Sequence, residues 1–314
     1  MGIKARRYAD ILAGAPEYVT GRQDEWKAFL TTAARNYKYP YYDQLMIYLQ
    51  RPEATACAEY DFWFDTMHRY VKRGAKGIAL VDNEGDSPRL RYVFDVADTG
   101  ARRNSRPVWL WQMKEEYRNP VMAALERAYG ISGDNQSLEA QLEQVAGRLA
   151  ADYWLDYGRQ IRGIVADSFL EEYDEFNIGT VFRKAAQASI AYTLSVRCTE
   201  EGENLFEPED FRDVSDFNTR QTAAALGTAV SSISREVFRE IERAIRDYER
   251  TKAQERSQNY AERNNIQAGR GLSSAGDRVE RDHRETSGQI RENAQGISEG
   301  EQSDTVQRSG ADGA

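Results

Sequence analysis

Two histidines and two cysteines are all that 314 residues contain. Cys57, His68, Cys198 and His283 lie far apart, so there is no C-x-x-C pair, no H-E-x-x-H helix and no disulfide framework. This scarcity argues against a His/Cys metal centre and for a reducing, cytoplasmic setting. Walker A, G-x-S-x-G and G-x-G-x-x-G patterns are also missing. No apolar run approaches the length of about 18 residues that marks a membrane-spanning helix, and residues 1–10 lack the apolar core of a signal peptide. Carboxylates do cluster, at Glu171, Glu172, Asp174 and Glu175 and again at Glu207, Glu209 and Asp210. A nuclease would need them converging on Mg²⁺, whereas these runs sit at helix ends and loops and read as solvated surface. The expectation is therefore no catalysis, no cofactor, no metal and no membrane.

The far end is poor in aromatics. Residues 255–314 hold one Tyr, no Trp and no Phe. Such a segment buries too little apolar surface to offset its conformational entropy, and it reads as a disordered acidic tail.

Charge is uneven in the same way. The chain has 42 Lys+Arg against 51 Asp+Glu, a net charge of −9. A negative sum argues against nucleic acid, since binding domains are usually basic. Yet residues 1–120 carry 19 basic and 16 acidic groups, while residues 121–254 carry 15 and 24. The front also holds 11 of the 18 Tyr and 4 of the 5 Trp.

Periodicity divides the chain further. Residues 5–13 predict a short helix. Trp26, Phe29, Leu30, Ala33 and Tyr37 form one helical stripe. Pro40 suits the start of the next helix, 41–50, which Pro52 ends. Residues 59–67 predict another short helix. Residues 78–82 and 89–96, separated by the turn sequence NEGDSP, predict a hairpin, and 107–112 a third strand. Beyond Met113 the pattern is helical. Ser137 is an N-cap candidate before Leu138, Leu142, Val145 and Leu149. Helices follow over 159–173 and 179–198, then an acidic loop, 201–217. The last helix, 220–252, carries a stripe of Leu226, Val230, Ile233, Val237, Ile241 and Ile245. The fold class is α+β: N-terminal helices with a small antiparallel sheet over residues 1–112, an all-helical domain over 113–254, and the tail over 255–314.

The chemistry-bearing stretch runs from Tyr37 to Lys76. It interleaves Tyr37, Lys38, Tyr39, Tyr41 and Tyr42 with Gln44, Gln50 and Arg51, then Trp63, His68, Arg69, Tyr70, Lys72, Arg73 and Lys76. Single-stranded nucleic acid suits this mixture, because cations track phosphates and flat rings stack on unpaired bases. Gly74 and Gly77 bracket Ala75-Lys76, so backbone N–H groups there can approach a phosphate. The competing reading is that aromatics at helical spacing form core, as Trp26, Phe29 and Phe94 are expected to.

The blocks WKAFLTTAARNY (26–37), QLMIYLQRPEAT (44–55), FW (62–63), VKRGAKGIAL (71–80) and YVFDVADT (92–99) resemble the N-terminal domain of ArdC-type antirestriction proteins. They resemble still more the related domain opening LtrC-like proteins of bacterial conjugative elements. The resemblance covers residues 20–112. It implies single-stranded DNA binding in the handling or protection of transferred DNA, with conjugation or restriction machinery as further partners. It marks Gln44, Gln50, Arg51, Trp63, Arg69, Lys72, Gly74, Lys76, Gly77, Phe94, Asp95 and Thr99. ArdC proteins carry a zinc-peptidase half with H-E-x-x-H. Here no histidine lies between His68 and His283, although ASIAYTLSVRC (188–198) resembles the core helix of such domains. The resemblance implies a helical domain that has lost its zinc ligands.

The combined expectation is a non-catalytic single-stranded DNA-binding protein. Its binding set is Tyr39, Tyr41, Gln44, Arg51, Trp63, Arg69, Lys72, Arg73 and Lys76, with Asp95 as a hydrogen-bonding turn residue. Two alternatives stay open: an acidic module that occupies the DNA site of a host enzyme, and an enzyme with an unrecognised metal site.

Overall fold

The structure is a computed structural model that describes residues 3–82, 87–134, 136–200 and 202–289, with side-chain surroundings as far as residue 261. The chain divides into two units, Met1–Glu249 and Arg250–Ala314. Of the segment read as a disordered tail, residues 255–289 belong to a helix and residues 290–314 lie outside the described residues. Within that helix, residues 255–261 are exposed.

The N-terminal helices are α1 (Ile3–Thr20), α2 (Gln23–Arg35) and α3 (Tyr41–Gln50). Helix α2 buries the expected stripe, Trp26, Phe29, Leu30 and Ala33. Pro40 is the N-cap of α3, its fixed φ of −69° already suited to the turn. Helix α1 is longer than the short helix expected over 5–13 and runs past Pro16. Leu12, Ala15, Pro16 and Val19 are all buried, and that packing outweighs the hydrogen bond lost at the proline.

The strands β1 (Cys57–Glu59), β3 (Ile78–Asp82) and β4 (Arg89–Asp95) form an antiparallel sheet in the order β1-β4-β3. The expected hairpin is present as β3–β4, with Ala79 opposite Tyr92 and Ile78 opposite Val93. Residues 107–112 do not supply the third strand. β1 does, pairing Ala58 with Phe94. A two-stranded ladder joins β2 (Tyr70–Val71) to β5 (Thr99–Gly100). Edge strand β3 is sealed by a side chain: Gln50 Oε1 accepts from the Ala79 N–H at 2.9 Å, and Gln50 Nε2 donates to the Ala79 carbonyl at 2.8 Å.

Helices α4 (Glu115–Tyr129), α5 (Leu138–Arg162), α6 (Glu175–Cys198) and α7 (Arg220–Gln289) follow. Ser137 caps α5, its hydroxyl accepting from the Ala140 N–H. The helix predicted over 159–173 is corrected. α5 already extends to Arg162, and residues 163–174 are turns that include Asp167 at φ 63°. The expected loop over 201–217 contains a 3-10 helix, Pro208–Asp216. In α7 the whole predicted stripe from Leu226 to Ile245 is buried.

Helix α6 is buried on most sides, including Phe182, Ala186, Ile190, Tyr192 and Leu194, which fits a central helix. It packs against α2 and α5. The Trp26 indole N–H donates to Ser189 Oγ at 2.9 Å across that contact. The buried core thus runs unbroken across residue 112, where the sequence places a domain boundary. Periodicity marks the apolar face of a helix but not the element that covers it.

Gly227 on α7 lies against Tyr41 on α3, so close that an added Cβ would sit 2.1 Å from the ring. Alanine normally stabilises a helix interior relative to glycine. Here Gly227→Ala is expected to cost about 1–3 kcal/mol through overpacking, measured by urea denaturation.

Candidate nucleic-acid interface

Three of the expected binding residues are buried. Tyr41 is 2% exposed, its ring edge-on to Phe29 at 5.7 Å. Gln44 is 1% exposed, its amide reaching the Asn36 carbonyl at 3.4 Å. Trp63 is 2% exposed, its indole N–H donating to the Phe94 carbonyl at 2.9 Å. Tyr39 is half-buried and donates to the Cys57 carbonyl at 2.8 Å, with its pKa raised by burial. Tyr41, Gln44 and Trp63 thus present no free face to a base. Arg51 is held by Asp98 and Glu53, and Arg69 Nε donates to Thr99 Oγ1 at 2.8 Å. Asp95 is a buried hydrogen-bonding residue: its carboxylate accepts from the N–H groups of Thr55 (2.6 Å), Ala56 (2.9 Å) and Ala97 (2.9 Å).

The remaining expected cations lie together on one exposed turn. The Ala75 N–H donates to the Lys72 carbonyl at 3.1 Å, and Gly74 adopts φ 86°. That is the third position of a type II turn, which glycine occupies without strain. Lys72, Arg73 and Lys76 are all exposed on it. Lys72 Nζ donates to the Ala97 carbonyl at 2.8 Å, which anchors the turn to the strand-end loop. Gly77 follows directly. A Cβ there would meet the Phe94 ring at 3.1 Å and Tyr92 Cβ at 3.2 Å, so the basic turn leads onto the aromatic side of β4.

That side carries rings outside the expected binding set, among them Phe94, expected in the core and half-buried here instead. Tyr92 and Phe94, two residues apart, share one face of β4. The Tyr60 ring meets Phe94 at 6.5 Å and stacks on Phe64 at 5.9 Å, only 10° from parallel. The Arg102 guanidinium lies over both Phe64 (5.1 Å) and Tyr70 (5.8 Å), and Lys4 lies over Tyr92 (5.2 Å). Tyr60, Phe62, Phe64, Tyr70 and Tyr92 are each 38–48% exposed.

Local backbone explains this outward display. Residues 62–66 form a short π-helical turn, closed by the Met67 N–H on the Phe62 carbonyl at 3.0 Å. Within it Trp63 points into the fold, while its neighbours Phe62 and Phe64 stay exposed. The turn is followed by His68 at φ 54°. A second basic loop is tied to it. Ser105 Oγ donates to the His68 carbonyl at 2.7 Å, and the Arg106 N–H donates to the Met67 carbonyl at 2.9 Å. Arg102, Arg103 and Arg106 on that loop are exposed. Two basic loops, 72–76 and 102–106, therefore flank the rings. Asp61 and Asp65, exposed on the π turn, offset part of this charge.

Among the described residues, no group of three or more His, Cys, Asp or Glu side chains is placed to hold a metal ion, and no helix is long and apolar enough to cross a membrane. No family model, curated protein or solved structure matches the chain.

Proposed function

We propose that this protein binds single-stranded DNA on the sheet surface formed by Tyr60, Phe64, Tyr70, Tyr92 and Phe94, with the loops 72–76 and 102–106 tracking phosphates. One observation carries the reading. Five large aromatic side chains, Tyr60, Phe62, Phe64, Tyr70 and Tyr92, remain 38–48% exposed beside six exposed Lys and Arg residues, with the half-buried Phe94 among them. Exposed rings among cations match what unpaired bases need, each stacked base contributing about 1–3 kcal/mol. A duplex hides its base faces and gains little from such rings. The resemblance of residues 20–112 to ArdC-type domains points the same way. It adds a setting, the handling of transferred DNA of a conjugative element.

The test is a salt titration of oligonucleotide binding. For single strands the slope of log K against log salt is about −0.7 per neutralised phosphate. Replacing Lys72, Arg73 and Lys76 by alanine is expected to make that slope shallower by roughly 2 if each contacts one phosphate. An unchanged slope in the triple variant rules out the 72–76 turn as a phosphate contact.

A further inference from the structure

A second feature lies away from the exposed rings. A cavity of about 110 Å³ opens between the end of α2, the 55–57 segment, the 109–111 segment and the end of α6. At about 30 Å³ per water it has room for roughly three to four water molecules, enough for a tetrahedral oxoanion but not for a nucleotide.

Its wall is cationic and aromatic. Arg197 lines it, with its guanidinium 4.2 Å from the Trp111 ring centroid and 5.2 Å from that of Tyr37. A guanidinium offers five N–H donors. Here Nη2 donates to the Trp111 carbonyl at 3.3 Å, while Nε is buried without an acceptor. Arg35, also on the wall, donates only to neutral oxygens: the carbonyls of Ala54 (3.2 Å) and Pro52 (2.5 Å), and Thr32 Oγ1 (3.5 Å). Among the described residues lining the cavity, none is Asp or Glu. The nearby carboxylate, Glu242, is already engaged by the Tyr37 hydroxyl, by Lys38 at 3.1 Å and by Arg246 at 2.6 Å.

Two arginines facing one small cavity without a carboxylate of their own are costly unless an anion joins them. Burial lowers the Arg197 pKa, which expresses the same imbalance. Asn36 lines the cavity too. Its amide nitrogen is fixed by the carbonyls of Thr32 and Ala54, leaving Oδ1 buried without a donor. Hydrogen phosphate supplies what both orphans lack, acceptor oxygens for a guanidinium and an O–H for an amide oxygen.

We propose that this cavity binds a phosphate-type oxoanion between Arg197 and Arg35, against the rings of Trp111 and Tyr37. The source is either free phosphate or the terminal phosphate of a nucleic-acid strand. The inference does not rest on the exposed-ring surface, and failure of that surface to bind DNA leaves it standing.

The experiment titrates inorganic phosphate into the full chain by calorimetry at constant ionic strength, with chloride as the control. Saturable binding of phosphate but not chloride is expected. Arg197→Gln should weaken it by about tenfold or more, the loss expected for charged hydrogen bonds, while the Lys72/Arg73/Lys76 triple variant binds phosphate normally. A second readout needs no variant. Cys57 lines the cavity and Cys198 is fully buried, so phosphate should slow modification of Cys57 by a small neutral thiol reagent. Competition by an oligonucleotide only when it is 5′-phosphorylated identifies a strand end as the source. Competition by free phosphate alone identifies the free anion. Absence of saturable phosphate binding, or equal affinity in Arg197→Gln with Cys57 left unprotected, overturns the proposal.

Discussion

Replacing Phe64 by alanine is expected to weaken single-stranded DNA binding by about 1–3 kcal/mol, roughly 5- to 150-fold, while leaving the protein folded. Phe64 sits at the centre of the exposed rings. It stacks on Tyr60 at 5.9 Å and carries Arg102 on its other contact at 5.1 Å. A base that stacks there meets a ring already held nearly parallel to its neighbour, so little ordering entropy is spent on binding. Because Phe64 is 40% exposed, its truncation removes limited buried area, and the stability change should stay within about 1 kcal/mol. Fluorescence anisotropy with a labelled single strand measures the first effect and urea denaturation the second. Full affinity in a folded Phe64→Ala protein places the strand somewhere other than on these rings.

One residue away the expectation reverses. Trp63→Ala should cost about 3–5 kcal/mol of folding stability, the range for deleting a large buried aromatic side chain. The ring is 2% exposed and its N–H closes on the Phe94 carbonyl, which ties the π turn to β4. Trp63→Phe separates the two contributions. It keeps most of the buried area and leaves the Phe94 carbonyl without its donor, for a smaller loss of about 1–3 kcal/mol. Any weakening of DNA binding in Trp63→Ala should follow the fraction unfolded, as read by circular dichroism at the binding temperature. A Trp63→Ala protein of normal stability that loses DNA binding makes Trp63 a stacking residue after all.

This reversal shows where sequence reasoning reached its limit. Composition singled out the stretch 37–76 for its rings and cations, but in Phe62-Trp63-Phe64 three consecutive aromatics compete for one inward position. Helical periodicity does not choose among them. The largest ring turned inward, with its neighbours outward, and the i, i+2, i+4 spacing of Tyr60, Phe62 and Phe64 was the available signal for an exposed set. Tyr41 was misplaced for another reason. Its stripe partner is Gly227, 186 positions along the chain, and no local pattern shows that α7 comes down on α3. The elements with strong periodicity, α2, α3, the β3–β4 hairpin and the α7 stripe, were legible. The strands β2 and β5 are two residues each, too short for a period to appear. Likewise the turn 72–76 announced itself by its lysines and glycines. The basic loop 102–106 reaches the same rings only through tertiary hydrogen bonds to Met67 and His68.

The net charge of −9 fits this arrangement. Binding confined to two basic loops and a set of rings does not require a basic protein. It does require that salt weaken binding and that the rings supply the strand preference.

The most direct measurement compares equilibrium binding of one sequence as a single strand and as a duplex, at the same salt, to the wild type and to Phe64→Ala. Stacking on the exposed rings predicts tighter binding of the single strand by the wild type, and loss of most of that preference in Phe64→Ala with duplex binding little changed. Equal affinity for the two forms, or no measurable DNA binding by the folded wild type, contradicts it.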